Sequence, residues 1–208
     1  MRRLSQVGLS LRYKALNPRR NLAGRCSKNQ PEEKLLKAFQ ELYLKSKIKP
    51  GICLFDLDLP GYGIPDLIWI SWHGNFGNEG ATALSYESLE KRLRERRLCA
   101  FELKVSDWRK ALLQAQRYRY FADRSMVIVP ASVAAKAKLH IASFKSSKVG
   151  LWGIDSKARR IYKYYTPTGT KPFNLEAKQK LAIRILKGLK LRKLSKRMNT
   201  VQQISKMF

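Results

Sequence analysis

The sequence predicts an α/β domain built on a mixed central sheet with helices on both faces. Three observations carry this. Segments with period-two patterning alternate with segments whose apolar residues recur at 3–4 spacing from Pro31 onward. The runs "GICLFDLDLP" and "IPDLIWISW" are joined by the turn formers "GYG", the pattern of a hairpin. After them, "LCAFELKV", "DWRKALLQAQRYRYFA" and "RSMVIVP" read as strand, helix and strand, which adds a parallel pair to the antiparallel one.

The elements follow in order. Residues 1–30 hold eight basic residues and no acid, and "NPRRNLAGRCSKNQ" is rich in turn formers, so this stretch is expected to be a basic arm and linker. Its Arg-rich, acid-free composition also matches an organelle transit peptide. "PEEKLLKAFQELYLKSK" places Leu35, Leu36, Phe39, Leu42 and Tyr43 on one helical face, with Pro31 and two glutamates suiting the N-terminus. The hairpin comes next. The Gly/Asn-rich "HGNFGNEGAT" and the charged "SYESLEKRLRERR" then form an insert at about residues 74–97. Beyond "RSMVIVP", "SVAAKAKLHIASF" reads as a helix, "VGLWGID" and "RIYKYYTP" as strands, and the segment from Asn174 as one or two basic helices. The predicted division is a basic arm (1–30), a central domain (31–170) and a basic helical extension (171–208).

Charge narrows the partners. Lys and Arg total 43 against 15 Asp and Glu, a net +28. Both ends are basic, and residues 178–208 carry no acid. A polyanion is the natural partner, because each cation seated on a phosphate releases condensed counterion. Candidate phosphate contacts are Arg19, Arg20 and Arg25 in the arm and Lys187, Lys190, Arg192 and Lys193 in the C-terminal extension. The helix carrying Leu181, Ile185 and Leu189 docks on the core, lies along duplex DNA or rests on a membrane surface. Tyr162, Tyr164 and Tyr165 can stack bases or pack. No apolar run of about 18 residues is present, so no membrane partner is expected. Cys26, Cys53 and Cys99 lack CxxC spacing, and His73 and His140 lie far apart. That spacing gives no zinc set and suits reduced thiols in the cytoplasm, with an organelle or the nucleus as the alternative.

The chemistry centres on "FELKV". In a strand, Glu102 and Lys104 share one face, while Phe101, Leu103 and Val105 share the other. The apolar face is expected to pack on a helix and the Glu/Lys face to meet water, a partner or a metal. Asp66, just after Pro65, sits at the mouth of the preceding strand. If the two strands pair, Asp66 and Glu102 converge. Two hard carboxylates with a backbone carbonyl and waters suit Mg²⁺, with Mn²⁺ as a substitute. Lys104 then lies where it can orient water and stabilise charge on a phosphate.

These residues carry a resemblance. "GIPDLIWI" followed by "FELKVSDWRKALLQAQRYRYFADRSMVIVP" resembles the PD-(D/E)XK nuclease superfamily over roughly residues 31–130. The resemblance implies a restriction-endonuclease-like fold with an αβββαβ core. It implies Asp66, Glu102 and Lys104 as the catalytic trio. "QAQRY" resembles the Q-x-x-x-Y signature of RecB-type nucleases, which implies a site role for Gln114. On the helical wheel Gln114 lies beside the apolar stripe of Ala111, Ala115, Tyr118 and Ala122, and Gln116 points outward. Tyr118 itself is expected in the core. Many members add a helix acid to the metal site, and Glu33 is the candidate ahead of Glu32. Asp56 and Asp58 share a strand face and are expected to be solvated, and Asp107 is expected to cap the helix that starts at Trp108. Three scattered cysteines do not supply the four usual ligands of an iron–sulfur cluster.

The expectation is a Mg²⁺-dependent deoxyribonuclease, an endonuclease, acting on duplex, branched or single-stranded DNA. It acts alone, as a homodimer, or within a larger nucleoprotein machine. The alternatives are a non-catalytic nucleic-acid-binding protein on the same scaffold and a ribosome-associated basic protein. The last leaves the trio unexplained.

Overall fold

The structure, a computed structural model, describes residues 13–16, 31–44, 51–55, 57, 59–71 and 97–185. Arg19, Arg20, Arg25, Lys187, Lys190, Arg192, Lys193, Leu189, Asp56, Asp58, Cys26, His73 and the insert up to residue 96 lie outside the described residues.

Among the described residues seven strands form one mixed sheet in which each strand pairs with its neighbours in sequence. They are β1 (Tyr13–Leu16), β2 (Gly51–Phe55), β3 (Leu67–Ser71), β4 (Arg97–Leu103), β5 (Arg124–Pro130), β6 (Val149–Asp155) and β7 (Arg160–Tyr165). β2–β3, β3–β4 and β6–β7 are antiparallel, and β1–β2, β4–β5 and β5–β6 are parallel. Each parallel pair is linked through helix: α1 (Pro31–Phe39) with a π turn over Gln40–Leu44, α2 (Trp108–Tyr118), and α3 (Ala131–Lys138) with α4 (Ile141–Ser146). Among the described residues a further helix, α5, covers 175–185.

The pleat sorts side chains into two cores. Leu35, Phe39 and Tyr43 of α1 and its π turn cover Leu67, Trp69, Phe101, Leu103, Met126 and Ile128 on one face. There Phe39 and Tyr43 stack at 4.9 Å, and Phe101 meets both rings. The opposite face buries Ile68, Ile70, Leu98, Ala100, Val127 and Val129 under α2, α3, α4 and α5. The alternation along β3, β4 and β5 is therefore the predicted period two. At Gly153 a Cβ would come 2.7 Å from the Ala134 Cβ, so a glycine lets α3 lie close on β6.

Three readings are corrected. The arm contains an edge strand, β1, parallel to β2; four residues in a basic stretch were too few to show period two. "SVAAKAKLHIASF" is two helices, broken at Leu139–His140 so that the second can drop Phe144 into the core while Leu139 stays exposed. Gln116 does not point outward: its Nε2 donates to Ser147 Oγ at 2.6 Å. Other expectations hold. Asp107 caps α2, accepting from the Lys110 N–H at 2.9 Å. Leu181 and Ile185 bury in the core, so the described part of the C-terminal helix docks rather than standing free. Tyr164 and Tyr165 pack against that core, and Tyr162 is half-buried.

Candidate metal and catalytic site

The site forms where β3 begins and β4 ends. Leu67 pairs with Phe101, so continuing that antiparallel register by one residue sets Asp66 opposite Glu102. The "GYG" turn delivers Asp66 there. Gly61 and Gly63 take φ of +84° and +91°, and a bridge between Leu59 and Gly63 closes the loop. Asp66 Oδ2 accepts from the Leu103 N–H at 2.7 Å, which locks the two strand ends together.

Glu102 is 1% exposed. This corrects the expectation of an open Glu/Lys face: α2 folds back over β4 and covers it with Tyr118. Tyr118 Oη lies 2.5 Å from Glu102 Oε2 and 3.1 Å from the Ile64 carbonyl oxygen. Lys104 Nζ lies 3.5 Å from Glu102 Oε1 and 3.3 Å from Glu32 Oε1. Lys104 follows the last residue of β4, so it joins an acid under α2 to an acid on α1, from the opposite layer.

The electrostatics follow from this packing. Burial, and then the charge of Asp66, push Glu102 up from an ordinary 4.5 to about 7, against the pull of Tyr118 and Lys104. Burial works against the Lys104 ammonium, but Glu102, Asp66 and Glu32 outweigh it and hold its pKa above normal. The Tyr118 hydroxyl is raised well beyond the ordinary phenol range, by burial first and by Glu102 second, so it stays protonated. That hydroxyl has one hydrogen and two acceptors nearby. When Glu102 is ionised, Tyr118 donates to it; when Glu102 is protonated, Glu102 donates to Tyr118 and Tyr118 to Ile64.

The structure thus brings Asp66, Glu102 and Lys104 together. It places Glu32, not Glu33, at the lysine; Glu33 pairs with Lys37 one turn on, at 3.2 Å. The reason is phase: Glu32 is three residues before Leu35 and shares the sheet-facing stripe of Leu35, Phe39 and Tyr43, a signal present in the sequence. Gln114 is half-buried, and its Oε1 is buried with no hydrogen-bond partner among the described residues. The residue that reaches the acid is Tyr118, which is core and site at once.

The donor set suits a hard cation only in an open form. Among the described residues no group of three or more His, Cys, Asp or Glu side chains could hold a metal ion. Two opposed carboxylates, once ionised, are the donor type that suits Mg²⁺, which needs one or two carboxylates and keeps its waters. Asp66 and Glu102 would hold it.

No protein-family model, curated protein or solved structure matches the chain. No helix among the described residues is long and apolar enough to cross a membrane.

Proposed function

We propose that the chain is a Mg²⁺-dependent deoxyribonuclease with a restriction-endonuclease-like fold of the PD-(D/E)XK type. The observation that carries this reading is the convergence of Asp66, buried Glu102 and Lys104 at two adjacent strand ends. The order α1-β2-β3-β4-α2-β5, with β2–β3 and β3–β4 antiparallel and β4–β5 parallel, supports it as well. A net charge of +28 supports a nucleic-acid substrate.

Each side chain then has a role. A bound Mg²⁺ would supply Lewis acidity and a water of lowered pKa. Asp66 is fixed by the Leu103 N–H, so its orientation is set before substrate arrives. Tyr118 fixes one oxygen of Glu102. Lys104, kept protonated by three acids, offers its ammonium to the charge that develops on the phosphate. Gln114 keeps a buried acceptor without a hydrogen-bond partner among the described residues, and a role for it in the site rests on the resemblance alone.

A non-catalytic nucleic-acid-binding scaffold is the second reading. It is favoured by Glu102 already having a partner at each oxygen, Tyr118 and Lys104, which makes the cluster self-sufficient as a polar core. Incubation with supercoiled, linear, branched and single-stranded DNA, with Mg²⁺ or chelator, separates the two. The nuclease reading predicts Mg²⁺-dependent nicking or cleavage. DNA binding without cleavage of any substrate supports the second reading.

A further inference from the structure

We infer that the cleft between the Leu59–Gly63 turn and α5 is a subsite for a single-stranded, unpaired segment of nucleic acid. The inference rests on the nuclease reading for its purpose, since it names the substrate form, but not for its binding test.

The cleft has a volume of about 750 Å³ and is lined by Leu59, Pro60, Tyr62, Lys180, Ile183 and Arg184 among others. A run of aromatic contacts, tilted by 38° and then near-perpendicular at 80°, lies beside it. Tyr62 and Tyr120 lie 5.6 Å apart, and Tyr120 and Phe173 5.7 Å apart. Arg119 lies 4.2 Å under the Phe173 ring, yet that ring is 62% exposed and Tyr120 46% exposed. Phe173 is thus backed by a guanidinium and met by Tyr120, and still leaves most of its surface exposed.

These rings are held in place. The Phe173 and Asn174 N–H groups donate to the Arg119 and Tyr120 carbonyls at 3.0 and 2.9 Å. Asn174 caps α5 through the Ala177 N–H and donates to Tyr62 Oη at 3.1 Å, tying the turn to the helix. Lys178 anchors α5 on Asp123 at 2.8 Å. Packing alone would bury the two rings; a rigid mount that leaves them open is a stacking platform.

The chemistry selects the occupant. Base faces are hidden in a duplex and open in a single strand, so exposed rings beside cations match unpaired bases and their phosphates. Arg184 is exposed, and Lys180 pairs with the equally exposed Glu176, a contact that a phosphate can displace. Buried contacts link the mount of the subsite to the candidate centre through the core. Tyr62 meets Phe121, Phe121 meets Tyr118, and Tyr118 touches Glu102. Asp66 lies four steps along the chain from Tyr62, a reach of at most about 14 Å.

The test is fluorescence anisotropy of the full chain in chelator, with a labelled oligothymidylate and with a duplex of equal length. Thermal melting of each variant verifies the fold. Tyr120→Ala and Phe173→Ala are expected to weaken single-strand binding at least about fivefold each, with duplex binding unchanged and Phe173→Trp restoring affinity. Lys180→Ala with Arg184→Ala is expected to flatten the salt slope by about 0.7 per lost phosphate contact. Wild-type single-strand affinity in folded Tyr120→Ala and Phe173→Ala variants overturns the subsite, whatever the cleavage assay shows. Ring-dependent single-strand binding without cleavage of any DNA upholds the subsite and removes the nuclease reading instead.

Discussion

Glu102 is the residue on which the site turns, and its energetics run opposite to those of an ordinary salt-bridged acid. Its folded pKa lies above its unfolded one, so its contribution to stability is full below about pH 4.5 and is lost as pH rises through about 7. The span is worth roughly 3 kcal/mol. In chelator, the urea midpoint should therefore fall across that window, and Glu102→Gln should remove most of the fall. Saturating Mg²⁺ should do the same in the wild type, because a cation favours the charged carboxylate. An unchanged pH profile in Glu102→Gln contradicts this account. Much of the site was legible at this scale. An acid and a lysine two apart in a strand, with an aspartate at the next strand's mouth, can be read without coordinates. The burial of Glu102 could not. A tyrosine on an apolar helical stripe reads as core, and nothing in Tyr118's spacing says that its hydroxyl stops on a carboxylate.

At the scale of elements, the site depends on how α2, α5 and the "GYG" turn close over β4. Asp123 accepts from the Leu98 N–H at 2.8 Å and from Lys178, which pins the start of β4 to α5. Lys178→Ala leaves Asp123 partly buried without its cation and should cost roughly 3 kcal/mol in chemical denaturation; a loss below about 1 kcal/mol would place this pair among ordinary surface bridges. The strands and α2 were legible because their periods were long enough to see. The two breaks were not. β1 spans four residues, and the division between α3 and α4 falls inside a run whose composition is helical throughout. In both cases tertiary pairing or packing decides what local pattern leaves open.

Across the whole molecule, charge separates binding from chemistry. The excess of basic residues is concentrated at the two ends, and the cations expected there to contact phosphate, from Arg19 to Lys193, all lie outside the described residues. DNA affinity should fall steeply with salt, by about 10³- to 10⁵-fold between roughly 50 and 200 mM if six to ten phosphates are contacted. Filter binding or anisotropy across that range checks it, and a flat response rules out a phosphate-dominated interface. The αβββαβ order was visible in the sequence, because hairpin and crossover leave different patterns. The position of α1 on one face and α2 to α5 on the other was not, since amphipathic helices do not state which side of a sheet they choose.

The central claim is that Asp66, Glu102 and Lys104 form a catalytic centre rather than a polar core. Single-turnover cleavage of the best DNA substrate, measured beside DNA affinity for wild type, Glu102→Gln and Lys104→Ala, tests it most directly. The account predicts Mg²⁺-dependent cleavage by the wild type. It predicts a rate loss of about 10²- to 10³-fold or more in each variant, with affinity and fold retained. Wild-type cleavage rates in a folded Glu102→Gln protein would contradict it.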